Sequence, residues 1–292
     1  MTVLERTRKR PFNFVVMPTR YDDRQHDHDP FSEDCQAGKR VSLEDYWQHY
    51  YEHGNYNYEY NNGILEVKPM ATHIDFEIYN WFLSLLGEYL RNHAIAKVTG
   101  LEIGFKMQLP EGEKVRKPDL GIVLHSNPIP LQATDRRYHG IFDVCVESVS
   151  DSKRSEMIRD TEEKFEEYEY AQVKEYFLLS RHETVLNFYR LNEHGKYDEI
   201  EPNEDGIIRS SALPGFQFRV EDLYRKPSFD EMVSTPIYQG FIWMEYQEER
   251  LAKLHAERIV RQERLAKEQA EQLAEKFAEL LRQQGIDPDQ LS

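Results

Sequence analysis

The chain is short of cysteine, of long apolar runs and of positive charge, and each shortage excludes something. Its 292 residues contain two cysteines, Cys35 and Cys145. Neither has a second cysteine at ligand spacing, which argues against a cysteine zinc site and a disulfide framework. Cys145 sits in the β-branched run Val144-Cys145-Val146 and reads as a buried reduced thiol, as expected of a protein in a reducing cytoplasm. No stretch approaches the ~18 consecutive apolar residues of a membrane span. The segment from Met1 to Pro11 is basic, but no apolar core follows it, so a secretory leader is not expected. Lysine and arginine number 37 against 53 acidic residues, a net charge of −16. That balance excludes a broadly basic surface of the kind that binds nucleic acid without selectivity. A local basic patch remains compatible with it.

What is present falls into blocks. Residues 1–40 are charged and rich in Pro and His, without sustained periodicity, and are expected as a poorly ordered polar extension. Within them His26-Asp27-His28 offers metal-ligand chemistry, yet no further ligand lies nearby, so a solvated tract is the plainer reading. Residues 41–228 form the expected main domain. Ser42 and Asp45 make an N-cap and N3 pair for a short helix. Asn62-Gly63 between two strand-like runs signals a hairpin. Thr72 caps a helix whose face carries Ile74, Ile78, Trp81, Phe82, Leu85 and Tyr89. Strands are expected over Lys97–Leu109, Lys117–Leu124 and Phe142–Val149. A charged helix over Ser155–Gln172 follows, then strands over Glu175–Ser180 and Thr184–Leu191. This alternation predicts an α/β fold with a mixed sheet flanked by helices.

Residues 229–242 read as a linker and 285–292 as a flexible tail. Between them, residues 243–284 contain no Pro or Gly. Apolar residues recur there at spacings of four and three: Ala252, Ala256, Ile259, then Ala266, Ala270, Leu273, Phe277 and Leu280, with Glu263 breaking the seam. The pattern predicts a C-terminal coiled-coil helix, with a homodimer as its simplest product.

The chemistry concentrates at acidic residues that interrupt apolar strands. Asp119 lies in Arg116-Lys117-Pro118-Asp119-Leu120, and Glu147 ends Val144-Cys145-Val146-Glu147. A buried carboxylate without a partner is costly, and a hard divalent cation with oxygen ligands is one partner that resolves the cost. Lys164, in the charged helix, shares a face with Asp160 and Tyr168. Its bland reading is an exposed Asp160–Lys164 pair; its chemical reading is a cation that orients water beside the two carboxylates. Lys114, Arg116 and Lys117 on one side, with Lys153 and Arg154 on the other, give the local basic flanks.

In their order these markers resemble one known family. Glu59 followed by Asn62-Gly63, His73 opening a helix, Pro118-Asp119, Glu147-x-x-Ser150, Asp160-x-x-x-Lys164-x-x-x-Tyr168 and Val173-x-Glu175-Tyr176-Phe177 are similar to the Uma-type restriction endonucleases. These are a branch of the PD-(D/E)XK nuclease superfamily, and the likeness spans about residues 42–225. It implies a restriction-endonuclease-like mixed sheet flanked by helices, and Mg²⁺- or Mn²⁺-dependent hydrolysis of nucleic-acid phosphodiesters, DNA foremost. Asp119 and Glu147 would hold the metal, with the Ser148 backbone carbonyl as a further ligand. Lys164 would act on the attacking water, and Glu59, His73, Asp160 and Tyr168 would support it. The wider superfamily carries a strand lysine two residues after the Glu147 position, where this chain has Val149. The resemblance therefore makes Lys164 the replacement. Two rivals stand beside this: a catalytically silent nuclease fold working through its coiled coil, and a scaffold whose carboxylates sit in ordinary buried salt bridges.

Overall fold

In the computed structural model, residues 35–68, 72–100, 102–149, 154–242 and 244–283 are described. The polar extension up to residue 34, its His26-Asp27-His28 cluster, Ser150, Lys153 and the 285–292 tail lie outside them.

The chain enters through α1 (Leu43–Asp45) and a π-helical turn, Tyr46–Tyr50. The Ser42 hydroxyl caps α1 by accepting from the Asp45 backbone N–H. Strands β1 (Tyr58–Asn61) and β2 (Ile64–Val67) form the hairpin. Its two turn residues take positive φ, 44° at Asn62 and 92° at Gly63, the backbone that makes Asn-Gly the favoured tight connection. Helix α2 (His73–Asn92) starts on a complete capping box between Thr72 and Asp75. Its Ile78, Trp81, Phe82, Leu85, Leu86 and Tyr89 are buried in the larger core.

The run expected as one strand from Lys97 to Leu109 is two. β3 (Ala96–Gly100) joins one sheet, and β4 (Phe105–Leu109) pairs with β5 (Gly112–Arg116) in another. The chain breaks at Gly104, where a Cβ would come within 2.9 Å of the Lys117 side chain and 3.0 Å of the Arg116 carbonyl. Strands β6 (Leu120–Leu124), β7 (Val144–Ser148), β8 (Glu175–Leu179), β9 (Asn187–Leu191) and β10 (Tyr197–Glu199) follow. The main sheet runs β10-β9-β8-β7-β6-β3, and its β7–β8 pair is parallel while its other pairs are antiparallel. The smaller sheet is β2-β1-β5-β4. The β7–β8 crossover carries the charged helix in three pieces: α3 (Arg154–Ile158), a π-helical turn over Arg159–Glu163, and α4 (Lys164–Tyr170).

Alternation along the strands sorts the main sheet's two faces. Leu120, Ile122, Val144 and Val146 pack with α2, whereas Val123, Cys145 and Val149 pack with Tyr168 and Tyr176 on the other side. Gly121 leaves room there for the Phe142 ring, which a Cβ would meet at 2.6 Å.

After β11 (Ile207–Arg209) and β12 (Gln217–Arg219) come α5 (Val220–Arg225) and α6 (Phe229–Val233). The stretch expected as a linker is instead part of the core, for Met232, Val233, Ile237, Tyr238, Phe241 and Ile242 are all buried in it. The four-residue step from Ile237 to Phe241 belongs to the domain's packing. Helix α7 (Met244–Gln283) is a single run of 40 residues. Leu273, Phe277 and Leu280 on it are each more than half exposed. Among the described residues no helix is long and apolar enough to cross a membrane.

Candidate active site

Two strands and one helix bring the acidic residues together. Leu120 pairs with Val146 across β6 and β7, so continuing that register by one residue sets Asp119 opposite Glu147. Alternation then turns both toward the face that α4 covers. Pro118 and the absence of ladder pairing at Asp119 leave that residue just before the strand, where its carboxylate reaches the end of β7. The Ser148 backbone N–H donates to Asp119 Oδ2 at 2.7 Å. A strand residue turns its N–H and C=O to one edge, so the Ser148 carbonyl shares that edge.

Lys164 reaches Glu147 directly. Its Nζ lies 2.9 Å from Glu147 Oε1, 2.8 Å from Asp160 Oδ1 and 3.9 Å from Glu59 Oε1. The Tyr168 hydroxyl donates to Glu147 Oε1 at 3.0 Å. The Asp160, Lys164 and Tyr168 side chains, one helical turn apart, are all buried. The helix face is therefore interior, and the bland reading of an exposed ion pair does not hold.

Glu59 belongs to the same cluster from the smaller sheet. Its Oε1 accepts from the Lys117 backbone N–H at 2.8 Å, and its Oε2 pairs with Arg116 Nη1 at 3.2 Å. Arg116 is fully buried and holds Glu167 through both Nε and Nη2, each at 2.7 Å. It also contacts Glu66 and Glu163. Four residues here have no assigned role from the sequence. Arg116 was visible only as a basic flank, and Glu167 as one of a run of glutamates. Lys68 and Arg159 were not visible at all. Lys68 Nζ lies 2.8 Å from Asp119 Oδ1 and also donates to the Lys117 carbonyl. Nothing near Lys68 in the chain announces that pairing, because it closes a loop of about fifty residues.

His73 does not join the site. Its side chain is 85% exposed, and its ion-pair partner is Glu77 at 3.8 Å, one turn along α2. The helix start that the resemblance aligned is capped by Thr72, and the histidine ring points to solvent.

The electrostatics follow from burial and crowding. Burial alone would raise the Glu59 carboxyl, but Lys164, Arg116, Arg159 and Lys68 together hold it well below the usual range. Glu147 goes the other way. Burial pushes it up to about 7, and the neighbouring charges of Asp119 and Asp160 add to what Lys164 and Lys68 do not offset. Lys164 stays cationic, since its three carboxylates outweigh the penalty of burial. Lys68 is likewise raised: burial opposes its charge, but Asp119 and Glu147 overcome it. Burial and neighbouring charge thus drive the two glutamates apart, Glu59 toward the ionised form and Glu147 toward the protonated one.

The donor set suits a hard cation. Asp119, Glu147 and the Ser148 carbonyl edge supply oxygens alone, and ammonium groups already stand against both carboxylates. Among the described residues no group of three or more His, Cys, Asp and Glu forms a ready-made metal cage. A cation here would complete its shell with water, as Mg²⁺ commonly does.

None of the curated proteins matches the chain. Among solved structures it is similar to the crystal structure of a putative nuclease belonging to DUF820 from Anabaena variabilis ATCC 29413. The identity is 16%, the match covers 64% of this chain and 98% of that one, and the TM-score is 0.49. The family model Uma2, described as "Putative restriction endonuclease", matches residues 43–221. That span holds the hairpin, α2, both central strands and the helix bearing Lys164, and it is more than half of the 292 residues. The chain belongs to the Uma2 family of restriction-endonuclease-like proteins.

Proposed function

We propose that this protein is a metal-dependent endonuclease that hydrolyses nucleic-acid phosphodiester bonds, with DNA as substrate. The observation that carries the reading is Lys164 Nζ at 2.9 Å from Glu147 Oε1, on the face where strand register sets Asp119 opposite Glu147. A lysine from the helix thus stands where Val149 on the strand cannot reach. In this reading Asp119, Glu147 and the Ser148 carbonyl hold Mg²⁺ or Mn²⁺. Bound metal would lower the pKa of water and offset charge on the phosphate. Lys164 orients the attacking water or balances developing negative charge. Tyr168 fixes the Glu147 carboxylate through its hydroxyl, and Asp160 fixes the lysine from the opposite side. Glu59 acts one step back by holding the Lys117 backbone next to Pro118-Asp119. The exposed Leu273, Phe277 and Leu280 of α7 support a homodimer through that helix, which would present two sites to one duplex.

A second reading rests on the closure of the network. Lys68 neutralises Asp119, and Lys164 is shared among three carboxylates, which also describes a silent fold held by buried ion pairs and working through α7. One experiment separates the two: incubation of plasmid DNA with Mg²⁺ or Mn²⁺, comparing wild type with Asp119→Ala. Metal-dependent cleavage lost in Asp119→Ala supports the hydrolase. An intact substrate with both proteins favours the interaction module.

A further inference from the structure

Arg159 opens the π-helical turn that precedes α4. Its Nη1 donates to the Val67 carbonyl at 3.0 Å, and the residue is only 7% exposed. Its Nε and Nη2 are buried with no hydrogen-bond partner. Among the described residues no carboxylate lies within ion-pair distance of it, and the charges of Glu59, Asp160 and Glu66 act on it only from farther off. These two nitrogens form the side of a guanidinium from which two N–H bonds point in parallel. Arg116 shows the same edge when filled: its Nε and Nη2 each lie 2.7 Å from a Glu167 oxygen. Arg159 therefore carries the same two-pronged donor, tied by its third nitrogen to the Val67 carbonyl and buried without a partner.

An unpaired buried charge donor is costly, more so than a neutral one. Such a group calls for an explanation in a binding partner or in function. Its position supplies one. The carbonyl it holds belongs to the residue before Lys68, whose ammonium ends on Asp119, and the residue after it is Asp160, which grips Lys164. The other cations of the cluster are committed to carboxylates: Lys68 to Asp119, Lys164 to Glu147 and Asp160, Arg116 to four glutamates. Among the described residues Arg159 is the cation of this cluster with a free donor pair. It also sits on a π-helical turn, a local distortion that helices tend to keep where it serves function.

We propose that the Nε–H and Nη2–H pair of Arg159 is the phosphate-binding edge of this site, taking two non-bridging oxygens of a nucleic-acid phosphodiester. Guanidinium matches that geometry bidentately, where an ammonium offers only a point charge. The assignment rests on the nuclease reading and deepens it, for it names the group that receives the substrate backbone in a strongly acidic protein.

The test is metal-free binding, read by fluorescence anisotropy with a labelled DNA duplex and its single strands across a salt series. Wild type is compared with Arg159→Lys, which keeps charge and a donor for Val67 but loses the fork, and with Arg159→Met. Thermal midpoints identify any variant that fails to fold; should Arg159→Met do so, Arg159→Lys carries the test. We expect Arg159→Lys to bind about tenfold more weakly, and Arg159→Met to flatten the log–log salt slope by ~0.9, the loss of one duplex phosphate contact. Wild-type affinity in Arg159→Lys overturns the proposal. So does a wild type that binds no DNA but is stabilised by inorganic phosphate through Arg159, which would make the fork a site for the free anion. The two ideas fail separately. A protein that binds DNA through Arg159 yet never cuts it with Mg²⁺ loses the hydrolase reading and keeps the fork. One that cuts, with Arg159→Lys binding as wild type, keeps the reading and loses the fork.

Discussion

Lys68 Nζ stands 2.8 Å from Asp119 Oδ1, so the carboxylate that lies opposite Glu147 carries a lysine as its counter-ion. A divalent cation at Asp119 must compete with that ammonium for the same oxygen. Removing it while keeping the side chain's bulk, in Lys68→Met, should therefore tighten Mn²⁺ binding by about tenfold, or ~1.4 kcal/mol. Isothermal titration calorimetry reads this without any turnover. Lys117→Met is the control, because Lys117 is buried close by but donates to the Tyr51 carbonyl and Asn57, not to Asp119. Equal effects in both variants would reduce Lys68 to a contributor of general charge.

Glu147 governs a pH dependence. Its carboxyl is pushed up to about 7 from an ordinary value of 4.5, chiefly by burial. The folded protein thus prefers the protonated form. The stabilisation this gives is full below the unfolded pKa and is lost as pH rises through the folded one. Glu147→Gln cannot ionise. The midpoint of wild type should fall relative to Glu147→Gln as pH rises between about 4.5 and 7, in metal-free buffer. Scanning calorimetry at several pH values checks it, and a constant difference would mean that the carboxyl titrates alike in the folded and unfolded chain. The same variant should lose metal-dependent cleavage.

Lys164 is expected to matter to rate and to stability together. As the group acting on water, its removal in Lys164→Ala should lower turnover by roughly 10²–10⁴-fold. Its burial between Glu147 and Asp160 adds a structural cost of about 3–5 kcal/mol, since breaking a buried pair leaves charge uncompensated. Denaturant titration beside the cleavage assay separates the two. Full activity in a destabilised variant would leave Lys164 as a strut.

The tail gives a prediction independent of the site. Leu273 and Phe277 are more than half exposed on α7, and a helix of this kind gains most of its stability by packing an apolar face. Leu273→Glu with Phe277→Glu should convert a dimer to a monomer by light scattering. Wild type already monomeric at tens of micromolar would end the dimer.

Much of this was legible from pattern. Asp119 and Glu147 stood out because each interrupts an apolar strand, and strand periodicity set both on one face. Lys164, Asp160 and Tyr168 shared a helical face by simple spacing. What pattern could not tell was that this face is interior, since a run of charged residues reads as solvated until its partners are known. Those partners, Glu59 and Glu147 for Lys164 and Arg116 for Glu167, come from segments far apart in sequence, so no window of local pattern contains them. His73 erred in the opposite sense: a polar residue at a helix start took on chemical meaning from its alignment alone. The 229–242 stretch failed for a third reason. Its Pro236 and Gly240 read as punctuation between elements, yet Ile237, Tyr238, Phe241 and Ile242 fill space left by α2 and the sheet.

The π-helical turn over Arg159–Glu163 bears on how this protein can vary. A regular α-helix advances about 100° per residue, and the wide turn holds one residue more than the regular ladder would. Deleting one residue there would let the helix relax to ordinary winding with Lys164 and Tyr168 left on nearly the same face, since four residues of α-helix turn about 400°, close to what the five of the wide turn cover. Surface loops tolerate insertions and deletions freely. The regular winding of α4 has no such slack, because Lys164 and Tyr168 share a face only at a spacing of four, and one residue fewer between them would dismantle the cluster that the same loss in the wide turn would spare.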